Sequence, residues 1–589
     1  MKRRWVIPRV NTGLQSRLSQ EARLSPVLAQ VLINRGIETP RAVAEFLNPY
    51  IENLHDPFLL PDMYTATKRI VTAIKRNEKI VVYGDYDVDG ITGTAILIHM
   101  LKDSAFRLGS MADCSYYIPH RLKEGYGLNT DVIKRIKSEG VSLIITVDCG
   151  TTAIDEVSLA NTLGIDVIIT DHHHVTDVLP PAAAVVNPNR KDSIYSFKEL
   201  AGAGIVFKLT QALSSEFGVR SWEEYLDLAA IGTIADVVPL IGENRIIASE
   251  GLNLLTESKR AGIVAIKRIS GIEGKTITSG MVGFIIAPRI NAAGRLGDAT
   301  SALKLLLTED MDEAEELAKF LDARNKERQQ IENEIFEKAK AMITDGEKWT
   351  VDGERYAIVL SSPSWHSGVI GIVASRLVEK FYRPAFLFVT QEGICKGSAR
   401  SIPPFHICEG LKQIEGGIEI KFGGHSQAAG IKVKEEDFIS FGKWINRIVR
   451  ESLSEEDLIP KLKIDARVKL REINFTLIDE LNSFSPFGYG NPEPLLGAKG
   501  LEVLYPKIVG NNHLKMKLRQ DGTVFDAIGF DMRDALSNDS LGSGVWSLES
   551  AIGHLSKIDA AFTPQVNDWE GGKQIQINIK AIRLSQNTD

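Results

Sequence analysis

The sequence predicts an α/β protein built from two α/β lobes, a long helix that joins them, and a small C-terminal β-barrel. Three patterns predict it. Short, β-branched, wholly apolar runs alternate with helical stretches between residues 61 and 310; residues 311–345 carry a helical pattern free of Gly and Pro; and residues 456–589 are rich in alternating, strand-like runs. At 589 residues the chain exceeds what one hydrophobic core organises, since domains run to about 150 residues.

Residues 1–60 read as a helical lead-in, because SPVLAQVLINRG and TPRAVAEFLNP each open with Ser or Thr followed by Pro, a cap and first-turn pair. In the first lobe, 61–310, Asp62 can cap a helix whose apolar positions include Ile70, Ala73 and Ile74. KIVVYG then reads as a buried strand, DYDVDG as a turn and ITGTAILIHML as a helix, and SLIITVDCG, IDVIITDHHH and AAVVNP repeat the strand. Runs that are apolar on both faces suit a parallel sheet covered on each side, and in such sheets binding residues gather beyond the carboxyl ends of the strands. Apolar residues recur at Leu317, Phe320, Leu321, Ile331, Ile335, Ala339 and Met342, so 311–345 is one long, mostly polar helix. The second lobe, 346–455, contributes the strand-like YAIVLSS, PAFLFVT and AAGIKV.

In 456–589 the clearest element is a hairpin, HLKMKLR and VFDAIGF joined through QDGT, and KLKIDARV, SKIDAAFT and QIQINIKAIRL bring the total to about five strands. His513, Lys515, Lys517 and Arg519 alternate with Leu514, Met516 and Leu518, so one face of the first arm is basic and the other apolar. A small barrel with one basic face resembles the oligonucleotide-binding (OB) fold.

Composition removes several classes. Hydrophobic residues make up 44% and charged residues 25%, with 49 Gly and 22 Pro, which excludes collagen-like, coiled-coil and wholly disordered chains. No apolar run approaches the roughly 20 residues of a membrane span, so no membrane partner is expected. Pro8 and Arg9 interrupt the basic start before a signal-peptide core forms. Four cysteines (Cys114, Cys149, Cys395, Cys408) without CxxC spacing point to reduced thiols and a cytoplasmic protein. The net charge of −7 argues against binding polyanions over the whole surface, leaves local basic grooves open, and agrees with carboxylates collected to hold metal.

Asp85, Asp87 and Asp89 lie at period two in the turn after the first strand, where Gly84 and Gly90 permit a tight path. Taken alone, this is as readily a helix cap with solvated charges. Asp148 ends the next strand, Asp171-His172-His173 ends the one after, and Asp236 follows the apolar YLDLAAIGTIA. Groups delivered from separate segments to one sheet edge would put like charges together without a cation, so metal binding is the better reading. Carboxylates with imidazole and no thiolate suit Mn²⁺ or Mg²⁺ more than structural zinc. Two such ions about 3.5–4 Å apart, bridged by a carboxylate, activate water and neutralise charge at a phosphoryl centre, which implies phosphoester hydrolysis.

GDYDVDG, VDCG, TDHHH and IADVVPL, in this order, resemble the four motifs of the DHH phosphoesterase superfamily, and SPSWHSGVIGIVASRLVEKF, KGSARS and FGGHSQAAG resemble its associated DHHA1 domain. With PRINAAGRLGDA, PFGYGNPEP and the terminal barrel, the chain from about residue 60 onward is similar to the single-strand-specific exonucleases of that superfamily. The resemblance implies DHH and DHHA1 lobes and an enzyme of DNA repair and recombination that degrades single-stranded DNA from the 5′ end to nucleotide 5′-monophosphates. It implies two divalent cations, Mn²⁺ or Mg²⁺, held by Asp85, Asp87, Asp89, Asp148, His172 and Asp236, with Asp148 bridging, and a catalytic set of Asp87, Asp89, Asp148, His172, His173 and Asp236. Asp171 and His173 stay open between ligand, orienting and phosphate-contacting roles. Tyr83 stands where many members of the superfamily carry His, a departure that bears on the first ion's coordination.

On the substrate side, Gly423 and Gly424 can offer backbone N–H groups to a phosphate, and Arg400 and His425 can add charge-assisted bonds. The plain alternative is a tight turn with a satisfied histidine. His366 ranks above Trp365 as a nucleotide contact, because a Trp at a strand end is more often core. Arg289 and Arg295 can clamp phosphates or pair with an acid between the lobes, and RNKERQ at 324–329 reads at least as well as a solvated face. Lys515, Lys517 and Arg519 would track the strand. A monomer is expected, working with a single-strand-binding protein and a helicase because its substrate must be unwound.

Two other classes compete. A small-substrate phosphoesterase of the same superfamily, acting on cyclic dinucleotides, short oligoribonucleotides or pyrophosphate, would have no need of the terminal barrel. A non-catalytic replication or repair scaffold would have lost motif acids, and here all four motifs are filled.

Overall fold

The computed structural model describes residues 3–218, 222–344, 356–414, 417–510, 512–532, 557–569 and 572–585. The chain forms two compact units, one of Pro49–Ser454 with Pro486–Asn491, the other of Met1–Asn48 with Glu455–Ser485 and Pro492–Asp589.

The chain opens with a short strand, β1 (Arg4–Val6), and helices Thr12–Ala22, Pro26–Asn34 and Pro40–Leu47. The caps are those the sequence predicts: Ser25 and Thr39 accept the N–H groups of Leu28 and Ala42, and Pro26 and Pro40 fill first-turn positions where no N–H is needed.

In the larger unit, β2 (Lys79–Gly84), β3 (Asp113–Tyr117), β4 (Leu143–Val147), β5 (Asp166–Thr170) and β6 (Ala184–Val186) form a wholly parallel sheet in the order β3-β2-β4-β5-β6. Side chains alternate across it. Ile80 and Val82 join the core under helices Met63–Lys75, Val88–Arg107, Gly202–Phe217 and Leu226–Ala235, while Val81 and Tyr83 join the opposite core under Thr130–Ser138 and Ile154–Thr162. Strand β3, with sequence DCSYY, is a half-exposed edge strand without an apolar run, so the pattern that predicts its neighbours passes over it. Asp62 departs from expectation. It precedes its helix in left-handed backbone (φ 53°) and makes no side-chain cap; its carboxylate instead accepts from Val185 N (3.0 Å) and Arg190 Nη1 (2.5 Å).

The long helix runs Met311–Thr344. Ala314, Ala318 and Leu321 are buried in the first lobe's core and Ile335, Phe336, Ala339 and Ile343 in the second, so one helix serves two cores. The expected boundary at 345–346 lies outside the described residues. In the second lobe β7 (Ile358–Ser361), β8 (Ala385–Gln391), β9 (Ile394–Arg400), β10 (Ile420–Gly424) and β11 (Ala428–Lys434) form a mixed sheet in the order β10-β11-β9-β8-β7, parallel only between β7 and β8. The unanticipated β9 and β10 are glycine- and lysine-bearing strands with little apolar content.

In the smaller unit, β12 (Lys461–Lys463) pairs with β1, and β13 (Ala466–Arg467), β14 (Leu496–Val509), β15 (His513–Gln520), β16 (Thr523–Gly529), β17 (Ile558–Trp569) and β18 (Gly572–Leu584) lie in the order β13-β14-β15-β16-β18-β17. Strand β17 pairs back onto β14, which closes five strands into a barrel and leaves no free edge among them. The β15–β16 hairpin turns on Asp521 and Gly522, both at positive φ as a two-residue hairpin requires. The N-terminal helices pack within this unit: Asn34 Nδ2 donates to Asp465 O (2.7 Å), Ser25 N to Glu480 Oε1 (3.2 Å), and the Arg35 guanidinium lies 4.6 Å from the Phe484 ring centroid. Among the described residues no helix is long and apolar enough to cross a membrane.

Candidate metal centre

The carboxyl edge of the parallel sheet carries the acidic groups because the ladders continue one residue past the strands. Asp85 N bonds Val147 O (3.1 Å), Asp148 N bonds Thr170 O (3.0 Å) and Asp171 N bonds Val186 O (3.2 Å). Asp87 caps the helix Val88–Arg107, its Oδ1 accepting from Asp89 N (3.0 Å) and Gly90 N (3.2 Å), so the cap and the acidic cluster are one feature. Asp89 is fully buried and receives the first N–H groups of helix Gly202–Phe217, from Gly202 (2.6 Å) and Ala203 (2.8 Å), at the positive end of that helix. Asp148 has left-handed backbone (φ 61°), a conformation Asp tolerates better than most residues, and its carbonyl accepts from Tyr126 OH (3.0 Å).

These side chains converge. His172 Nε2 lies 3.1 Å from Asp148 Oδ1, 3.6 Å from Asp236 Oδ2 and 3.9 Å from Asp89 Oδ2. Three sets of potential ligand atoms lie within 4.8 Å of one another: Asp85, Asp87 and Asp148; Asp89, His172 and Asp236; and Asp148, His172 and His173. The first two place all six predicted ligands in two neighbouring groups, and Asp148, next to His172, adjoins both. Asp171 falls in none of the sets. It accepts from His172 N (2.8 Å), His173 N (3.1 Å), His173 Nδ1 (2.7 Å) and Thr151 N (2.9 Å), which makes it the residue that orients the histidine pair. Tyr83 is buried in the core on the far face, its hydroxyl donating to Gly127 O (3.1 Å), so it is not turned toward the acids.

Burial and mutual repulsion push the Asp85, Asp148 and Asp236 carboxyls well above the usual range and Asp89 to about 7. Burial, with the charge of His173, lowers His172 to about 4, leaving a neutral imidazole, the form that binds metal. Asp171 raises His173 despite its burial. Buried Asp85 Oδ1 and Asp148 Oδ1 have no hydrogen-bond partner, and the nearby His172 Nε2 is not aligned to supply one to Asp148. Orphaned buried carboxylate oxygens beside neutral imidazole, with no thiolate, are the donor set a hard divalent cation satisfies.

A stability prediction follows from these shifts. A carboxyl whose folded-state pKa lies above its unfolded value of about 4 stabilises the fold below that value and loses the contribution as pH rises through the folded pKa, for Asp89 about 7. Chelator-treated protein is therefore expected to melt at a lower temperature at about pH 8 than at about pH 5, with Mn²⁺ reversing the loss at the higher pH. Scanning calorimetry checks this; a melting temperature indifferent to Mn²⁺ at the higher pH would contradict it.

Guanidinium groups gather beside the acids. Arg295 is lowered to about 9 by burial and by the charges of Arg121, Arg328 and Arg400, while Asp87 opposes the shift; Arg400 is lowered by burial and Arg121. Among the described residues, Arg121, Arg295 and Arg400 form no ion pair with a carboxylate. His366 adjoins them, since a Cβ on Gly368 would stand 2.2 Å from Arg295 O and 3.2 Å from His366 Cε1. Burial, with the charges of the nearby His173 and His174, lowers His425. Gly423 and Gly424 end the edge strand β10, and the turn proper is the next three residues, 425–427, with His425 N donating to Ala428 O (2.8 Å).

Other residues stay outside this cluster. Arg289 pairs with Asp322 (2.9 Å) on the long helix, the acid-pairing alternative weighed above. Trp365 is core. Arg328 is buried and bonded to Asn325 and Glu332, so RNKERQ is not simply a solvated face. In the smaller unit Leu514, Met516 and Leu518 are buried opposite Lys515, Lys517 and Arg519 as predicted, but Lys517 pairs with Asp526 (3.6 Å) and Arg519 Nε with Glu502 (2.6 Å). Sequence reasoning missed Arg121, stacked on the Tyr86 ring at 4.9 Å, and Tyr126, which touches His173 Nδ1 (3.0 Å); neither sits in a periodic pattern. It also missed Gly202 and Gly232, where a Cβ would stand 2.8 and 2.9 Å from the Asp89 carboxylate; glycines inside apolar helical runs were the available signal.

Residues 79–233 match the DHH family, N-terminal domain, residues 354–451 the DHHA1 domain, and residues 464–581 the RecJ OB domain. The single-stranded-DNA-specific exonuclease RecJ of Bacillus subtilis is 40% identical over 589 residues, spanning 99% of this chain and 71% of that protein. The chain belongs to the RecJ family. Crystal structures of RecJ from Thermus thermophilus in complex with Mn²⁺ and with Mg²⁺ match the fold with TM-scores of 0.82 and 0.75 at 30% and 29% identity, covering 100% and 99% of this chain and 80% and 79% of that one. In this RecJ-family chain the DHH match contains every acid and histidine of the cluster except Asp236, which follows it by three residues, and the DHHA1 match contains Arg400 and His425.

Proposed function

We infer that this RecJ-family chain is a metal-dependent, single-stranded-DNA-specific exonuclease, and that it works from the 5′ end and releases nucleotide 5′-monophosphates. One observation carries the reading: two adjoining sets of carboxylate and imidazole donors meet at Asp148, beside three arginines that have no carboxylate partner among the described residues. Asp85, Asp87 and Asp148 would hold one divalent ion, and Asp89, His172 and Asp236 the other, Mn²⁺ or Mg²⁺. Bound there, the pair supplies an activated water and neutralises charge at the phosphoryl oxygens.

The chain's own groups do the rest. Arg121, Arg295 and Arg400 hold the phosphate that is cut, and their mutual repulsion, costly in the free protein, is relieved by the negative charge of that diester. Asp171 keeps the proton of His173 on Nδ1, which turns the other ring nitrogen outward to a phosphate oxygen. Gly202 and Ala203 fix Asp89 from behind, so the ligand set is preorganised. The barrel's basic face supports a long strand as substrate in preference to a dinucleotide. A cytoplasmic monomer supplied with unwound strands by a helicase and a single-strand-binding protein fits this chemistry.

The test is a Mn²⁺-dependent time course on one strand labelled at its 5′ end, the same strand labelled at its 3′ end, and a blunt duplex. Immediate release of labelled mononucleotide from the 5′-labelled strand alone is expected. Cleavage confined to dinucleotides would favour the small-substrate phosphoesterase, and no cleavage with either metal the scaffold. Neutralising Lys515, Lys517 and Arg519 together is expected to weaken strand binding and flatten its salt dependence by about one to two contacts' worth, not three, because Asp526 and Glu502 already engage two of the charges. Binding titrations at several salt concentrations measure that slope.

A further inference from the structure

The two histidines of the metal centre have little backbone support. They follow β5 in a stretch, 171–183, that belongs to no strand or helix, and the ladder ends at Asp171, whose N–H bonds Val186 O (3.2 Å). A ligand on such a stretch needs other support, because a shift of about 1 Å takes its nitrogen out of coordinating position. That support comes from side chains, which hold all four backbone polar groups of the pair. Asp171 accepts the N–H groups of His172 (2.8 Å) and His173 (3.1 Å). The carbonyls are taken by the turn after β6, where Asn189 Nδ2 donates to His172 O (2.7 Å) and Asn187 Nδ2 to His173 O (2.9 Å).

That turn is itself tightly held. Asn187 is fully buried and uses its whole amide: Nδ2 also donates to Thr151 Oγ1 (3.0 Å), and Oδ1 accepts from Asn189 N (2.8 Å). The second of these bonds makes Asn187-Pro188-Asn189 an Asx turn, which sets the two amides at consecutive carbonyls. Thr151 N donates to Asp171 Oδ2 (2.9 Å), so Asp171, Thr151, Asn187 and the histidine backbone form one closed circuit. On its other side the turn is anchored by Arg190, whose Nη1 donates to Val185 O (2.8 Å) and to Asp62 (2.5 Å), while Asp62 accepts from Val185 N (3.0 Å). A carbonyl oxygen only accepts, so both positions require a donor, and Asp at either would set a carboxylate oxygen against a carbonyl.

We propose that Asn187 and Asn189 are positioning residues of the metal centre, a clamp of two amides that fixes where the His172 ligand atom stands by holding the carbonyls of the histidine pair. The proposal rests on the metal-dependent reading and adds to it two residues at the end of β6, whose apolar run marks only a strand. Water can replace the exposed bond from Asn189 and satisfy His172 O, but it does not fix where that carbonyl stands. Loss of the amide is therefore felt in metal binding and not in the stability of the fold.

The test is calorimetric titration of the chelator-treated full chain with Mn²⁺, comparing the unaltered protein with Asn189→Ala, with the similarly shaped but donor-lacking Asn189→Asp, and with Asn161→Ala. Asn161 Nδ2 donates to Pro181 O (2.7 Å) later in the same stretch, so its loss removes a like bond, also exposed, that does not touch the histidines. Asn189→Ala and Asn189→Asp are each expected to weaken the binding of one Mn²⁺ by about 10-fold or more and to raise the Mn²⁺ concentration needed for strand degradation by a similar factor. KM for the strand and the melting temperature of the chelator-treated protein are expected to stay near their original values. Asn161→Ala is expected to bind Mn²⁺ within about twofold of the unaltered protein. Unchanged Mn²⁺ affinity in either Asn189 variant, or an equal loss in Asn161→Ala, would overturn the clamp alone. An unaltered protein that binds no Mn²⁺ would overturn the metal-dependent reading and the clamp with it.

Discussion

Asp148→Asn is expected to lower the rate of strand degradation by at least about 1,000-fold, about 4 kcal/mol of lost barrier reduction, while making the chelator-treated protein more resistant to heat. Both effects come from the same carboxylate. Asp148 adjoins both ligand sets, so its loss would remove a donor from both ions at once. It is also buried, its charge is opposed by Asp89, Asp87, Asp236 and Asp85, and its Oδ1 lacks a hydrogen bond. Removing that charge relieves repulsion the metal-free fold must bear, a gain on the order of 1 kcal/mol near pH 8. Asn suits the position better than Ala, because the backbone is left-handed there and Ala would add about 1–2 kcal/mol of strain unrelated to metal. Steady-state assays and calorimetry on one preparation read both effects. A variant keeping a third of the activity would refute the shared role.

Gly202→Ala is expected to cost about 100-fold in activity although the new methyl group touches no substrate. Its Cβ would stand 2.7 Å from Asp148 Cβ, 2.8 Å from Asp89 Oδ2 and 2.9 Å from Asp148 Oδ1, so ligands of both sets must move. A misplacement of about 1 Å in a preorganised site costs about 10²-fold, and loss of supporting contacts weakens metal affinity by about 10- to 100-fold. Gly204→Ala, on the same helix, is the control. Its Cβ would meet Leu200 Cδ2 at 3.4 Å, ordinary contact, and Ala favours the helix, so activity is expected within about twofold of the original. Activity and Mn²⁺ titrations on the pair decide; equal behaviour would show that crowding at Asp89 and Asp148 does not matter.

The acids of the centre are legible in sequence because strand ends are legible. A β-branched run such as LIITV declares its own termination, and Asp148 is simply the next residue. What one residue faces is harder to read. Arg289 and Arg295 share one helix, but six residues apart they point about 120° away from each other, and only Arg295 reaches the cluster while Arg289 meets Asp322. Asp171 could be assigned only once its oxygens were seen to be filled by N–H groups. Arg121 and Tyr126 come from a loop with no period to mark them. The packing of the N-terminal helices with the barrel joins Asn34 to Asp465 across 431 positions, a distance over which no local pattern carries information. Strands β3, β9 and β10 escaped notice because edges and glycine-rich ladders lack the apolar run that betrays a buried strand. So did the long barrel strand β14, whose alternation is broken by Gly497, Gly500 and Pro506; the expected strand KLKIDARV instead divides between β12 and the short β13.

The most direct measurement is anomalous diffraction from Mn²⁺-soaked crystals of the full chain. Two peaks about 3.5–4 Å apart are expected, both within coordinating distance of Asp148, one also contacting Asp85 and Asp87 and the other Asp89, His172 and Asp236. A single peak, or a pair in which Asp148 touches only one ion, would contradict the shared-carboxylate centre.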